Sequence, residues 1–156
     1  MNVIESKTVS ILIVDDDPQI CEMLSSILSK EDFQVVSTFR SNESLGFLKK
    51  GSYVKFNLVI TDLQMPGLGG FSIIKNIQAD SYESVPVLVM TGRNLDAGTI
   101  DMIKNEPNVK GFCKKPLFLS DFISTVYSAL GILPKPENHP QETPVHPQAS
   151  PQPQAT

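Results

Sequence analysis

Residues 10–18 read Ser-Ile-Leu-Ile-Val-Asp-Asp-Asp-Pro, and this stretch decides how the rest of the chain is read. Ser10–Val14 is an apolar run without alternation, the pattern of a strand covered on both faces rather than one with a wet side. Asp17 is suited to cap a helix, and Pro18 to occupy its first position, where a missing N–H costs nothing. Ile20, Met23, Leu24, Ile27 and Leu28 then recur at helical spacing.

The same alternation continues down the chain. Gln34–Thr38 reads as a second strand, and Ser41 opens a short helix through Leu45 and Leu48, closed by Lys49, Lys50 and Gly51. Residues 57–61 form a third strand that ends at Asp62. A loop containing Pro66, Gly67, Gly69 and Gly70 then leads into a helix carrying Phe71, Ile74 and Ile77. Residues 86–90 are a fourth strand with its proline at the permitted first position. A weaker helix over 95–105 contains Gly98, a fifth strand covers 109–113, and a last helix over 121–130 is stopped by Gly131. Five strands alternating with five helices predict an α/β fold, a doubly wound five-stranded parallel sheet with helices on both faces. Ligands of such sheets sit at the carboxyl ends of the strands.

Composition narrows the function. The chain has 156 residues, 40% of them hydrophobic, enough for one domain with a real core. A net charge of −4 gives no basic face for phosphate backbones, so direct nucleic-acid binding is not expected. Cys21 and Cys113 are too few for a disulfide scaffold and read as small core residues. The two histidines, His139 and His146, stand too far downstream to serve the main body. The first ten residues lack the features of a signal peptide. No apolar run approaches the roughly 20 residues of a membrane span, so a cytoplasmic protein without membrane insertion is expected.

The residues at the strand ends form a coherent set. Asp15, Asp16 and Asp17 follow the first strand, Asp62 the third, Thr91 the fourth, and Lys114, Lys115 and Pro116 the fifth. Carboxylates from two strand ends aimed at one crevice repel one another unless a cation holds them. An all-oxygen site of this kind suits magnesium, which keeps several waters and shares its shell with phosphate. A lysine beside them supplies a point charge for a phosphoryl group, and a hydroxyl can donate to the same oxygens. These parts describe a site that accepts a phosphoryl group.

Four segments in order, ILIVDDDP, VITDLQMPGLGGF, MTG and FCKKP, resemble the receiver domain of two-component response regulators. The match runs from about Val9 to Leu130. The resemblance implies a flavodoxin-like, single-domain receiver of the chemotaxis-regulator kind. In it Asp62 takes a phosphoryl group from a kinase phosphohistidine. Asp15 and Asp16, with Asp62 and the backbone carbonyl of Gln64, hold Mg2+. Thr91 and Lys115 reach the phosphoryl group, and Phe112 stands at an aromatic position that changes rotamer on activation. It also implies a cis peptide between Lys115 and Pro116, a geometry only X–Pro bonds adopt cheaply. The implied partners are a sensor histidine kinase or a histidine phosphotransfer protein, and an output protein binding the face of the fourth helix, fifth strand and fifth helix. On this reading the chain is a phosphoacceptor signalling domain and not an enzyme. Two positions depart from the family pattern: Gly69 replaces the usual aspartate after the acceptor, and Gly92 the usual alanine after the hydroxyl residue.

The organisation expected is an N-terminal extension over 1–9, the receiver over 10–133, and a disordered Pro/Gln-rich tail over 134–156. Pro134, Pro136, Pro140, Pro144, Pro147, Pro151 and Pro153 are seven of the twelve prolines, and Val145 is the tail's one β-branched apolar residue. Pro144 and Pro147 have the spacing of a polyproline ligand, but a linker is the preferred reading of them. The alternative function is a phosphatase of the haloacid dehalogenase type, for which Asp15 and Asp17 have the required spacing. Gln19 stands where that family expects threonine or valine, and it gives Asp62 no role. The chain is also readable as the receiver fragment of a longer regulator whose effector domain is missing.

Overall fold

The five apolar runs become five parallel strands, and the segments between them become five helices. The computed structural model describes residues 8–49, 55–67, 69–79 and 85–136. In chain order the elements are β1 (Ser10–Val14), α1 (Pro18–Lys30), β2 (Gln34–Thr38), α2 (Ser41–Phe47), β3 (Leu58–Asp62), α3 (Gly70–Ala79), β4 (Val87–Thr91), α4 (Ala97–Lys104), β5 (Val109–Lys114) and α5 (Leu119–Leu130). The sheet order is β2-β1-β3-β4-β5, every pairing parallel. The order reverses direction beside β1, which is the doubly wound, flavodoxin-like arrangement.

Successive side chains of a strand point to opposite faces, so each central strand feeds two cores. Ile11, Ile13, Leu58, Ile60, Leu88 and Met90 pack with Leu24 and Leu28 of α1 and with Phe122 and Val126 of α5. Leu12, Val14, Val59, Val87 and Val89 pack on the other side with Ile73, Ile74 and Ile77 of α3 and Ile103 of α4. This two-sided cover is why β1 and β3 carry no alternation in sequence.

The structure moves several boundaries. β3 and β4 each run one residue further than their apolar runs, taking in Asp62 and Thr91. α4 starts at Ala97 because the Asp96 carboxylate caps it, accepting from the Thr99 N–H at 2.9 Å and from the Thr99 hydroxyl at 2.6 Å. α5 starts at Leu119, ahead of Asp121, and ends as expected with Gly131 in the left-handed region at φ 67°. Leu48 forms the C-cap of α2, and Lys50 and Gly51 lie outside the described residues. On α1 the buried stripe is Cys21, Leu24 and Leu28, with Met23 43% exposed. Ile20 and Ile27 of the expected stripe pack partly buried against the same core, so it holds except at Met23, which the docking angle of α1 leaves outside. Residues 1–7 and 137–156, the latter including His139, Pro144, His146 and Pro147, lie outside the described residues. No helix among the described residues is long and apolar enough to cross a membrane.

Tyr127 of α5 is 4% exposed, packs its ring 5.5 Å from that of Phe33, and donates its hydroxyl to Glu31 Oε2 at 2.7 Å. Burial, and then the Glu31 carboxylate, push its phenol pKa up. A phenol whose pKa is higher folded than unfolded contributes stability that is present in full below the unfolded value, about 10. That contribution is lost as pH rises through the folded value. Tyr127→Phe should therefore cost roughly 1 kcal/mol at neutral pH. Urea unfolding over a pH series should show the deficit shrinking above about pH 10, and a deficit independent of pH would exclude this coupling.

Candidate functional site

Parallel registration brings the strand ends into one edge. Val14 pairs with Thr61, Asp62 with Met90, and Thr91 with Lys114, so the residues next in sequence emerge side by side. The ladder continues past the strands. The Asp15 N–H donates to Thr38 O at 3.2 Å, Leu63 N–H to Met90 O at 2.8 Å, and Lys115 N–H to Thr91 O at 2.7 Å.

Asp15, Asp62 and Lys115 form the centre of this edge. The Lys115 ammonium donates to Asp15 Oδ2 at 2.6 Å and to Asp62 Oδ2 at 2.7 Å. Each carboxylate uses its other oxygen to hold its own turn: Asp15 Oδ1 accepts from the Asp17 N–H at 2.9 Å, and Asp62 Oδ1 from the Gln64 N–H at 2.8 Å. Asp15 is wholly buried and Asp62 is 5% exposed. Burial raises the Asp15 carboxyl above its ordinary pKa, against the downward pull of the Lys115 and Asp17 hydrogen bonds. For Lys115 burial acts to lower the ammonium pKa, but the bonds to Asp15 and Asp62 outweigh it and the net shift is upward. The ammonium therefore stays charged throughout the neutral range.

Asp16 is exposed on the rim, and carboxylate oxygens of Asp15, Asp16 and Asp62 come within 4.8 Å of one another. One ammonium against three carboxylates leaves the cluster negative. Hard oxygen donors, two of them buried, fit a hard divalent cation. Asp17 takes no part, because its carboxylate caps α1 by accepting from the Gln19 N–H at 2.9 Å. The dehalogenase-type reading needs Asp15 and Asp17 as a working pair, and it finds no support here.

Thr91 is 2% exposed at the end of β4, and its hydroxyl accepts from the Arg93 N–H at 3.3 Å. Gln64 is half-buried, and its main chain is tied to Asp62 through the bond just described. Phe112 is half-buried in β5, packs against the α3–α4 side of the core, and carries the Lys104 ammonium 5.4 Å above its ring. The Lys115–Pro116 peptide is cis.

Three contributors were not legible as site residues. Cys21 donates its thiol to Asp15 O at 3.3 Å and so braces the main chain under the acidic cluster. Ser41 reaches from α2 to Pro66 O at 3.4 Å, holding the loop after Asp62. Gly70 is the most constrained: a Cβ there would stand 2.2 Å from Asp62 O and 2.8 Å from Leu63 Cα. The Gly69-Gly70 pair was the only signal, and a glycine pair by itself signals a turn rather than the backbone it must clear.

Residues 11–127 match the family described as the response regulator receiver domain. Among curated proteins, the chain is 32% identical to the response regulator GtcR of Aneurinibacillus migulanus over 95 residues, covering 61% of this chain and 36% of that one. It is 28% identical to the DNA-binding response regulator MtrA of Mycolicibacterium smegmatis over 121 residues, covering 77% of this chain and 50% of that one. The chain thus spans half or less of the length of these relatives. Among solved structures, the Vibrio cholerae chemotaxis protein CheY4 superposes with a TM-score of 0.66 at 24% identity, over 76% of this chain and 96% of that one.

Gly70→Ala should cost about 1–3 kcal/mol, because the new methyl meets main chain that cannot swing away. Gly46→Ala is the matched control: it lies in α2 with nothing within 4 Å of an added Cβ. That change should stabilise by up to about 1 kcal/mol through helix propensity. Urea unfolding of both variants checks the contrast, and equal effects would remove the close-approach constraint at Gly70.

Proposed function

This chain belongs to the response regulator receiver family, and we propose that it is a signalling switch whose phosphoacceptor is Asp62. The donor is the phosphohistidine of a sensor histidine kinase or a histidine phosphotransfer protein. A carboxylate oxygen of Asp62 forms the new P–O bond as the P–N bond to imidazole breaks, and the imidazole leaves with a proton. The observation that carries this reading is the Lys115 ammonium held at 2.6 and 2.7 Å from Asp15 and Asp62. A fixed cation beside the acceptor stands ready to meet charge on the incoming phosphoryl oxygens without reorganising.

Magnesium is the cofactor of this reading, and Asp15, Asp16, Asp62 and the main-chain carbonyl of Gln64 would hold it. When bound, it offsets the charge shared between the acidic cluster and the phosphoryl group. Thr91 and Lys115 serve the response. A bound state shifts a two-state equilibrium only through contacts made in one state and not the other. New phosphoryl oxygens offer Thr91 a partner better than the 3.3 Å bond it now accepts from Arg93. Phe112 turning into the space Thr91 leaves would lift its ring from Lys104 and reshape the face of α4, β5 and α5. Met102, 53% exposed on α4, already gives that face an apolar contact for an output protein.

Two experiments test the reading. With magnesium present, a small acyl phosphate donor should label the chain once, hydroxylamine should remove the label, and Asp62→Asn should abolish it. Label that persists in Asp62→Asn would overturn the acceptor assignment. Separately, Thr91→Ala and Lys115→Ala should still take label from the small donor, more slowly for Lys115→Ala, yet fail to bind the output partner that labelled wild-type chain binds. Wild-type partner binding by both variants would show that activation runs by another route.

A further inference from the structure

The side of α5 that faces α1 carries a groove to which the phosphoacceptor reading gives no role. Leu119, Ile123 and Tyr127 repeat at four-residue spacing along α5, and with Phe118 and Ile132 they line a groove of about 1140 Å³. Lys30 and Glu31 of α1 form its other wall. Phe118 is 70% exposed and Leu119 54%, so the apolar end of the groove lies toward the Lys115 edge. Contiguous exposed apolar surface of this kind marks a contact site.

The chain itself enters this groove. Pro134, Lys135 and Pro136 line it, the Lys135 ammonium pairs with the Asp32 carboxylate, and the Lys135 main chain acts on the Tyr127 phenol. The exit of the chain is therefore pinned at the C-terminal end of α5. The 12 residues of α5 measure about 18 Å, whereas a polyproline strand rises about 3.1 Å per residue. A polyproline strand laid back along α5 from Pro136 would need about six to eight residues to reach the N-terminal end of the helix. There the sequence has Pro144-Val145-His146-Pro147, with Val145 the one aliphatic side chain larger than alanine beyond Pro136. Aromatic-lined grooves accept proline-rich strands because these lose little entropy on binding.

We propose that the groove is the docking site of the chain's own residues 137–147, laid antiparallel to α5 with Pro144 and Val145 on Phe118 and Leu119. The tether makes the contact intramolecular, so a weak interaction suffices to populate it. The inference does not depend on phosphorylation of Asp62.

The test is paramagnetic broadening in the full 156-residue chain carrying His146→Cys with a nitroxide label. Cys21 and Cys113 are buried, which confines labelling to the introduced thiol. The amide signals of Ser120, Ile123 and Ser124 should lose intensity while those of α3 keep theirs. The loss should persist on dilution and be absent when the labelled chain is mixed with an isotope-labelled chain that carries no nitroxide. Adding Phe118→Ser, at an exposed position, should restore the α5 intensities with the remaining spectrum unchanged. Unchanged α5 intensities, or a loss uniform across the domain, would overturn the proposal. A loss that appears in the mixed sample would overturn it too, by making a second copy the occupant.

Discussion

Lys115 is the charge on which the acidic edge of this sheet depends. Asp15 is wholly buried and Asp62 nearly so, and a carboxylate taken out of water is stable only if paired and hydrogen-bonded. The single ammonium serves both, at 2.6 and 2.7 Å, while main-chain N–H groups satisfy the remaining oxygens. Pairing lowers the cost of burial without cancelling it, which is why the Asp15 carboxyl still lies above its ordinary pKa. The strain that remains is electrostatic and local. It favours a cation, which would offset the crowding of three carboxylates around one lysine.

That arrangement exists only once the sheet is complete. Lys115 lies 100 residues from Asp15 and 53 from Asp62 in sequence, and no local segment brings any two of them together. Registration does so, because β1, β3, β4 and β5 run parallel and their carboxyl ends step by no more than one residue from strand to strand. The two cores hold that register from opposite faces, and a slip of β1 by one residue would exchange Leu12 with Ile13 and give each core the side chains shaped for the other. The precision of the site is therefore inherited from the packing of branched aliphatic side chains well away from it.

The strand ends are also tied to one another. The main-chain bond from Lys115 to Thr91 at 2.7 Å links the two residues that would read a phosphoryl group. Phe112 stands in the same strand as the approach to Lys115, under the Lys104 ammonium. On the proposed function, a change at the acidic edge would pass to the α4–β5 surface through this strand and this ring. Gly70 keeps the opposite loop close against Asp62, and the glycine at position 69, where the family commonly has aspartate, leaves this close approach intact.

The sequence by itself determined the order and type of the elements. It also determined which residues stand at the strand ends, since both follow from short-range patterns: unbroken apolar runs, a helix cap before Pro18, glycine after the last helix. It placed Asp15, Asp62, Thr91 and Lys115 at one edge through topology alone. Tertiary structure decided what those patterns leave open. It turned α1 so that Met23 is left exposed while Leu24 and Leu28 are buried, because Met23 lies at the margin of the apolar face and the docking angle decides how far that face reaches. It moved β3 and β4 one residue toward their carboxyl ends and lengthened β5 by one, because a strand ends where its neighbour's ladder ends and not where apolarity does. It also decided that Asp15 is buried against Lys115 while Asp16 stays on the exposed rim. Adjacent acids look alike in sequence, and only the direction in which the folded backbone points each carboxylate tells them apart.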